Sequence, residues 1–174
     1  MLNVSNLPDF DSTRSLPKAE FVARHRCLFL MFAARNGTAG LGFKTTVAHL
    51  DELEDTDHDL GGDLGAAEVL ALQKAPGNPY GERISLGRAR NCDLVLRDPS
   101  VSKLHAHFLI ATADAPGCLH LADLESQNGT LLNGKPLVPN VAVPVDVGAA
   151  LRFGGVVAHL VDAARLFDLM EFAE

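Results

Sequence analysis

The sequence predicts that most of the chain is an all-β sandwich. From about residue 66 onward, short runs that favour strands are each closed by Gly, Pro, Asn or Asp. These turns recur roughly every 8 to 12 residues, a spacing typical of a sandwich or barrel built from many short strands. The chain has 174 residues, and 47% of them are apolar, which is enough to bury one hydrophobic core.

Strands, turns and one helix are predicted in this region from their composition. The predicted strands are Val69–Lys74, Arg83–Leu86, Leu94–Leu96, His105–Thr112, Leu119–Leu124, Thr130–Leu132, Val141–Val143, Ala150–Phe153 and Val156–Val161. The predicted turns are Pro76–Pro79, Asp114–Gly117, Asn128-Gly129 and Asn133-Gly134. A short amphipathic helix is predicted over Ala163–Phe172, and its apolar side consists of Leu166, Phe167, Leu169 and Met170.

The first 65 residues are predicted to form a mixed extension packed on the sandwich. Residues 1–16 are polar and lack periodicity, which indicates a flexible tail. Pro17 is a favoured first-turn residue and predicts a short helix over Lys18–Arg26. The apolar run Cys27–Ala34 is consistent with a strand or with more helix, because periodicity alone cannot assign it. It has to be buried, either against the C-terminal helix or in a homodimer.

An acidic segment completes this extension. A further strand or helix is predicted over Phe43–Leu50, and seven acidic residues without a base lie between Asp51 and Asp63. Like charges at this density favour an exposed loop. The predicted domains are the extension at 1–65, the sandwich at 66–162 and the C-terminal helix at 163–174.

Composition and charge argue against several function classes. The net charge of −7 disfavours binding to nucleic acid or to an anionic membrane. Within this acidic chain, the stretch Gly81–His105 holds five bases and three acids, a local excess of +2 that suits a small anionic ligand. No apolar run approaches the roughly 20 residues of a membrane helix. The three cysteines are widely spaced without a CxxC unit, as expected of reduced thiols in a cytoplasmic protein.

Catalysis and metal binding are not predicted. In residues 1–65 we find no nucleophile–base set, no glycine-rich phosphate loop before a helix and no metal motif, so neither an enzyme nor a cofactor is expected. A zinc site is the one alternative in the β region, from His105, His107, Cys118 and His120. A hairpin closing near Ala113–Pro116 would place His120 opposite Leu109 rather than His107, which argues against that site.

Three polar segments in the β region carry residues suited to a phosphate. They are Leu86–Arg88, Ser100–Ala106 and Asp123–Thr130, the last followed by Asn133-Gly134. An Arg guanidinium can bind two phosphate oxygens at once, and a Ser hydroxyl with loop N–H groups can satisfy the others. An Asn amide has a donor and an acceptor for the main chain of an extended peptide. Loops on a rigid sandwich are the usual position for such groups.

The ordered set of these motifs resembles the forkhead-associated (FHA) domain family. The matching residues, which span about Val69 to Val161, are Gly87-Arg88, Asp93–Leu96 with Asp98, Ser102, His105-Ala106, Asp123-Leu124, Ser126, Asn128–Thr130, Asn133-Gly134, Gly148 and Phe153-Gly154. The resemblance implies an FHA-type eleven-stranded β-sandwich with its ligand loops at one end. It also implies a domain that binds phosphothreonine peptides and catalyses nothing.

The resemblance further implies a role for individual residues. By motif position, Arg88 and Ser102 would hold the phosphate, Lys103 would add a phosphate contact, and Asn128 would bind the peptide backbone. Gln127 stands where family members commonly have a small hydroxyl residue or a base, so this chain departs from the family pattern there. The residues expected to support the site are Gly87, His105, Gly129 and Thr130, with His105 bracing the phosphate-binding loop and Thr130 starting the next strand.

The predicted function is that of a phosphothreonine-binding signalling adaptor in a Ser/Thr kinase pathway. Its partner is a phosphothreonine-containing protein, a Ser/Thr protein kinase is a further candidate partner, and homo-oligomers are left open. The alternative is a phosphate-independent interaction scaffold built on the same fold. Thr13, in the predicted flexible tail, raises a second hypothesis, in which phosphorylated Thr13 would occupy the site of its own chain or of a second copy.

Overall fold

The structure is a computed structural model that describes residues 3–4, 10–13, 15–33, 67–112 and 115–171. These residues form twelve strands and three helices. The strands are β1 (Asn3–Val4), β2 (Phe29–Ala33), β3 (Ala67–Ala71), β4 (Arg83–Gly87), β5 (Leu94–Val95), β6 (Ala106–Thr112), β7 (Ala115–Asp123), β8 (Thr130–Leu132), β9 (Lys135–Pro136), β10 (Val143–Pro144), β11 (Ala150–Phe153) and β12 (Val156–Val161). The helices are α1 (Phe10–Thr13), α2 (Lys18–Arg24) and α3 (Ala163–Glu171). Across these ranges, no helix combines the length and apolar character needed to cross a membrane.

The strands pair into two sheets. The larger sheet has the order β1-β3-β2-β12-β11-β8-β9, and the smaller has the order β10-β7-β6-β4-β5. Without the two-residue strand β1, which pairs with β3 in parallel at the sheet edge, eleven strands remain. They confirm the predicted all-β sandwich of FHA type. Its core lies between the two sheets, with large buried side chains such as Leu30, Ile84, Phe108, Leu151 and Phe153.

Most predicted strands are present with shifted ends, one strand of the sandwich was missed, and one predicted turn is wrong. Strand β9 was not predicted, because it consists of two exposed residues that directly follow the Asn133-Gly134 turn. The predicted turn at Asp114–Gly117 is too long. Residues 115–117 belong to strand β7, which starts at Ala115.

The apolar run before residue 34 is strand β2, and it lies inside the larger sheet between β12 and β3. Leu30 and Phe32 pack in the core between the sheets, whereas Phe29 and Met31 pack on the opposite face. Both faces are therefore covered, which explains a continuous apolar sequence. The domain division at residue 65 stays a prediction, but a unit that contains the whole larger sheet has to include β2.

Helices α2 and α3 form a third layer on the outer face of the larger sheet. The buried side chains of this layer, including Phe21, Leu166, Phe167 and Met170, form a second apolar cluster with strands β2 and β3. The rings of Phe21 and Phe167 are 5.4 Å apart between centroids. The predicted C-terminal amphipathic helix is thus present, and the side that it buries is the predicted one.

The expectation of a flexible tail over residues 1–16 is wrong for its described parts. Thr13 ends helix α1 and is fully buried, with its Oγ1 2.8 Å from the Nε2 atom of His25. A kinase cannot reach a buried hydroxyl that is already hydrogen-bonded, so the folded chain does not offer Thr13 for phosphorylation. The predictions for Phe43–Leu50 and for the acidic segment lie outside the described residues.

The pairing of β6 and β7 has the register that was used to argue against a zinc site. Leu109 lies opposite His120, and His107 lies opposite Ala122. This is the register that the sequence predicted. Within the described ranges, no group of three or more His, Cys, Asp or Glu side chains is arranged to hold a metal ion.

Candidate functional site

Three loops meet at one end of the sandwich because of how strands β4, β6 and β7 are paired. The end of β4 lies beside the start of β6, with Leu86 opposite Ala106. The start of β6 lies beside the end of β7, with Ala106 opposite Asp123. The β4–β5 loop (88–93), the β5–β6 loop (96–105) and the β7–β8 loop (124–129) therefore emerge together. We refer to these three loops as the rim.

The first two rim loops are joined by main-chain hydrogen bonds. The N–H of Arg88 donates to the carbonyl of Ser102 over 2.9 Å, and the N–H of Ala89 donates to the carbonyl of Lys103 over 3.0 Å. These bonds fix the two residues that the sequence predicts as phosphate ligands, Arg88 and Ser102, on adjacent segments. Their positions relative to each other are thus set by the backbone.

The side chain of Arg88 is exposed and is held by one hydrogen bond. Its Nε donates to the carbonyl of Val101 over 3.1 Å. Among the described residues, the two Nη groups have no protein partner. The guanidinium is therefore oriented through Nε, and its outer nitrogens can donate to an external acceptor.

Ser102 connects the second and third rim loops. Its half-buried hydroxyl oxygen accepts a hydrogen bond from the N–H of Gln127 over 3.0 Å, which leaves the hydroxyl proton as a donor. The Nδ2 of Asn128 donates to the carbonyl of Ser100 over 2.8 Å. The side chains of Lys103, Gln127 and Asn128 are exposed. All five predicted ligand residues thus lie on the rim.

His105 lies beneath the rim and connects the loops from inside. Its ring is fully buried. Nδ1 accepts a hydrogen bond from the N–H of Ser102 over 3.0 Å, so the proton is on Nε2, which donates to the carbonyl of Gly129 over 3.2 Å. Burial lowers the pKa of His105 below its ordinary value, although the Gly129 carbonyl and the Asp123 charge act in the opposite direction. The ring is therefore neutral at pH 7.

Asp123 organises the β7–β8 loop from a buried position at the end of β7. It accepts hydrogen bonds from the N–H of Ser126 over 2.9 Å and from the hydroxyls of Ser126 (2.5 Å) and Thr130 (2.6 Å). Burial alone would raise the pKa of Asp123, but these donors more than offset it and keep the pKa below its ordinary value. The carboxylate is ionised, and it fixes the turn that carries Gln127 and Asn128.

Comparison with known proteins agrees with this geometry. The sequence profile of the FHA domain matches residues 84–154, which run from β4 through all three rim loops to the β11–β12 turn. The segment 84–154 is an FHA domain. FHA domains typically bind phosphothreonine peptides.

The regions that match this FHA domain in the curated relatives are parts of much longer proteins. Human kanadaptin is 33% identical over 114 residues, which are 61% of this chain and 14% of kanadaptin. The DNA damage response protein kinase DUN1 of Saccharomyces cerevisiae is 36% identical over 58 residues, 31% of this chain and 11% of DUN1. The NMR structure of the yeast Dun1 FHA domain, in complex with a doubly phosphorylated peptide derived from Rad53, matches with a TM-score of 0.47 and 19% identity over 78% of this chain and 74% of that chain. The chain thus spans 14% or less of these two curated relatives.

Two glycines of this FHA domain make its loop geometry possible. A Cβ on Gly87 would lie 2.3 Å from the carbonyl oxygen of Lys103, a distance far inside van der Waals contact. Gly129 has a φ of +71°, a conformation that glycine adopts without steric cost. Both residues were predicted as supports of the site, and the structure shows the physical constraint at each position.

Sequence reasoning missed the contact between Ser100 and the β11–β12 turn. The hydroxyl of Ser100 accepts a hydrogen bond from the N–H of Gly155 over 2.8 Å and donates to Asp98. A Cβ on Gly154 would lie 2.4 Å from the Ser100 carbonyl oxygen. The Gly154-Gly155 pair directly after a predicted strand was the available signal for such a close approach.

A second buried carboxylate, Asp93, secures the β4–β5 loop. Burial alone would raise the pKa of Asp93, but hydrogen bonds outweigh it and the pKa lies below its ordinary value. Its donors are the N–H of Ser85 (2.7 Å), the hydroxyl of Ser85 (2.8 Å), the N–H of Ala75 (2.8 Å), Nδ2 of Asn78 (2.8 Å) and Nζ of Lys74 (3.3 Å). The negative charge of Asp93 is thus directed inward, away from the rim.

Proposed function

We propose that this FHA domain captures threonine-phosphorylated segments of a partner protein and acts as an adaptor in a Ser/Thr kinase pathway. One observation carries the proposal. The exposed guanidinium of Arg88 and the hydroxyl of Ser102 lie on adjacent loops that share a main-chain hydrogen bond. A guanidinium and a hydroxyl in this arrangement can donate to different oxygens of one phosphoryl group.

The chemistry accounts for discrimination between phosphorylated and unmodified segments. A hydrogen bond to a charged group contributes roughly 1.5–3 kcal/mol. Two or three such bonds separate the two peptides by about two orders of magnitude or more in affinity. The Nη groups of Arg88 and the hydroxyl of Ser102 supply those donors, and the ammonium group of Lys103 adds positive charge.

The bond between Arg88 Nε and the Val101 carbonyl supports the proposal through preorganisation. It restricts a long side chain before any ligand arrives. Ordering a flexible side chain on binding costs about 0.5–1.5 kcal/mol, and a restricted guanidinium loses less of this free energy. The same reasoning holds for Asn128, whose Nδ2 is engaged by Ser100 while its Oδ1 can accept from a peptide N–H.

Gln127 contributes differently from the other predicted ligands. Its main-chain N–H is used to orient the Ser102 hydroxyl. Its side chain is exposed on the rim and would meet residues next to the phosphothreonine rather than the phosphate. We therefore assign Gln127 to the neighbourhood of the peptide and the phosphate contacts to Arg88, Ser102 and Lys103.

The variant Arg88→Ala tests the proposed function. We expect about a 100-fold or larger loss of affinity for a phosphothreonine peptide library, because two charge-assisted hydrogen bonds are removed. The matched control is Arg83→Ala, which removes an exposed Arg from the start of β4, the end of that strand away from Arg88, and should leave affinity unchanged. Fluorescence anisotropy measures binding, and circular dichroism confirms that both variants fold.

The unphosphorylated library is the reference for this experiment. If it binds as well as the phosphorylated one, or if Arg88→Ala folds and still captures the phosphorylated peptides, phosphate recognition at this site is wrong. The phosphate-independent scaffold would then be the better description of this protein.

A further inference from the structure

We propose that this site selects phosphothreonine segments that carry additional negative charge on one side of the phosphothreonine, with Arg90 and Arg97 as the residues that determine this preference. The inference rests on the proposed function. It adds the class of partner segment, namely an acidic or multiply phosphorylated one.

The first step concerns which charges of the rim reach solvent. The β4–β5 and β5–β6 loops contain two acids, Asp93 and Asp98, which are only 8% and 5% exposed. Asp93 is surrounded by donors, and Asp98 accepts from the N–H of Ser100 over 2.7 Å. Neither carboxylate is presented at the surface. The exposed charges of these two loops are therefore all positive: Arg88, Arg90, Arg97 and Lys103.

The second step places Arg90 and Arg97 beside the phosphate ligands. Arg90 follows Ala89, whose N–H is bonded to the Lys103 carbonyl. Arg97 follows Leu96, whose N–H donates to the Gly87 carbonyl over 2.9 Å. The residue before Arg90 is thus hydrogen-bonded to Lys103, the neighbour of Ser102. The residue before Arg97 is hydrogen-bonded to Gly87, the neighbour of Arg88.

The third step concerns the ion-pair partners of these two charges within the described residues. The ion pairs within the described part of the chain involve Lys18, Lys74 and His105 as the basic groups. Arg90 and Arg97 are not among them. Among the described residues, these two guanidinium groups thus have no ion-pair partner, and beside the proposed phosphate site they can attract an external anion.

The fourth step gives the preference a direction. The Ser102 hydroxyl is bonded to Gln127 of the third loop, while the Ser102 carbonyl is bonded to Arg88 of the first. Ser102 therefore lies between the first and the third rim loops. The third loop carries an exposed acid, Glu125, whose carboxylate accepts from Asn140 over 2.8 Å. A segment lying across Ser102 meets positive charge toward Arg90 and a negative charge toward Glu125.

The expected size of the effect follows from the exposure of these groups. Ion pairs between solvent-exposed side chains contribute little individually, which corresponds to about twofold to fivefold in affinity for each pair. Two arginines together should give about fivefold to twentyfold. Salt screens exposed charges within about 10 Å at 0.1 M ionic strength, so the preference should weaken as the salt concentration rises.

Binding of four synthetic peptides to the full chain tests the proposal. All contain one phosphothreonine. The first has alanine on both sides, the second has three aspartates before it, the third has three aspartates after it, and the fourth has a second phosphothreonine on the side that the aspartates favour. The test variant is Arg90→Ala/Arg97→Ala, and the control is Arg83→Ala/Arg165→Ala, which removes two exposed arginines of β4 and α3 outside the rim.

The expected result is that one of the two aspartate peptides binds about fivefold to twentyfold more tightly than the alanine peptide. The test variant should lose this gain while it keeps its affinity for the alanine peptide, and the control should retain the gain. The diphosphorylated peptide should show at least the same gain, because its second phosphate also carries negative charge on the favoured side.

Equal affinities for all four peptides overturn this inference but leave phosphothreonine binding intact. The same conclusion follows if the test variant keeps the gain, or if the control loses it. If no phosphothreonine peptide binds at all, the proposed function itself fails, and this inference fails with it. The alanine peptide therefore separates the two failures.

Discussion

At the scale of single residues, the rim loops are held in position by buried polar side chains rather than by the exposed residues that are predicted to bind the ligand. His105 and Asp123 each connect backbone segments that are distant in sequence. The motif identified these positions, and the resemblance to FHA domains implied that His105 braces a loop. The actual bonds could not be predicted, because they depend on which carbonyl each buried donor meets after folding. The contact of Ser100 with Gly155 joins residues 55 positions apart, and no local pattern specifies it.

Gly87 gives a residue-scale prediction. In Gly87→Ala the new methyl would collide with the Lys103 carbonyl, which is backbone and cannot rotate away. We expect the free energy of unfolding to fall by about 1–3 kcal/mol, the usual effect of overpacking, and phosphopeptide affinity to fall as the β5–β6 loop shifts. Urea denaturation and peptide titration measure the two effects.

Gly81→Ala is the matched control for this substitution. A Cβ at Gly81 would have no neighbour within 4 Å, so stability should change by less than about 0.5 kcal/mol. A Gly87→Ala protein as stable as the Gly81→Ala protein would show that the close approach of the two loops is not rigid.

At the scale of elements, the sequence predicted best where a strand is followed by a specific turn. Asn133 and Gly134 both have positive φ, +49° and +76°, as a two-residue hairpin turn requires, and this turn was predicted. Strand β2 could not be assigned because it is buried on both faces, so its sequence carries no alternation. Its place in the middle of the sheet follows from pairing with β12, which lies more than a hundred residues away in the chain.

The position of β2 predicts what two deletions do. Removing residues 1–64 takes away the strand between β3 and β12, and we expect an unfolded or insoluble product, because two central strand edges lose their partner. Replacing residues 34–66 by Asn-Gly should instead preserve the fold. Ala33 lies opposite Ala67, the geometry that a two-residue turn closes. Circular dichroism and analytical size exclusion distinguish the outcomes.

The Asn-Gly variant should also be at least as stable as the full chain, because it shortens the connection between β2 and β3. Each halving of the length of such a connection lowers the entropic cost of closing it by about 0.6 kcal/mol. A folded, monomeric protein without residues 1–64 would show that β2 is dispensable. Loss of the fold in the Asn-Gly variant would show that residues 34–66 are required by the sandwich.

At the scale of the whole molecule, the smaller sheet, the larger sheet and a helical layer enclose two apolar clusters, with β2 and β3 contributing to both. The sandwich and its rim were predictable because their residues are ordered along the chain in a specific motif. The helical layer was predictable only as separate helices. The two helices contact each other on the outer face of the larger sheet through Phe21 and Phe167. The sequence of either helix alone does not predict this contact.

This layered burial predicts how stability depends on pH. His25, His105 and His107 have pKa values lowered mainly by burial, so in the unfolded chain they bind protons at a higher pH than in the fold. The unfolded state therefore binds more protons as the pH falls below about 6.5, and the free energy of unfolding should decrease there. Asp93 and Asp123 also have lowered pKa values. Their stabilising contribution is present above about pH 4 and is lost below it.

Urea denaturation at a series of pH values from 7.5 to 3 measures both windows. In His105→Gln, the loss of stability between pH 7.5 and 5 should be smaller than in the unmodified chain, because one buried group that resists protonation is gone. The variant will be less stable at pH 7.5, since Gln cannot reproduce both ring hydrogen bonds, so the slope with pH and not the absolute value is the test. If the slope is unchanged, or if stability rises on acidification from pH 7.5, then His105 is not the neutral, buried link between the Ser102 and Gly129 loops.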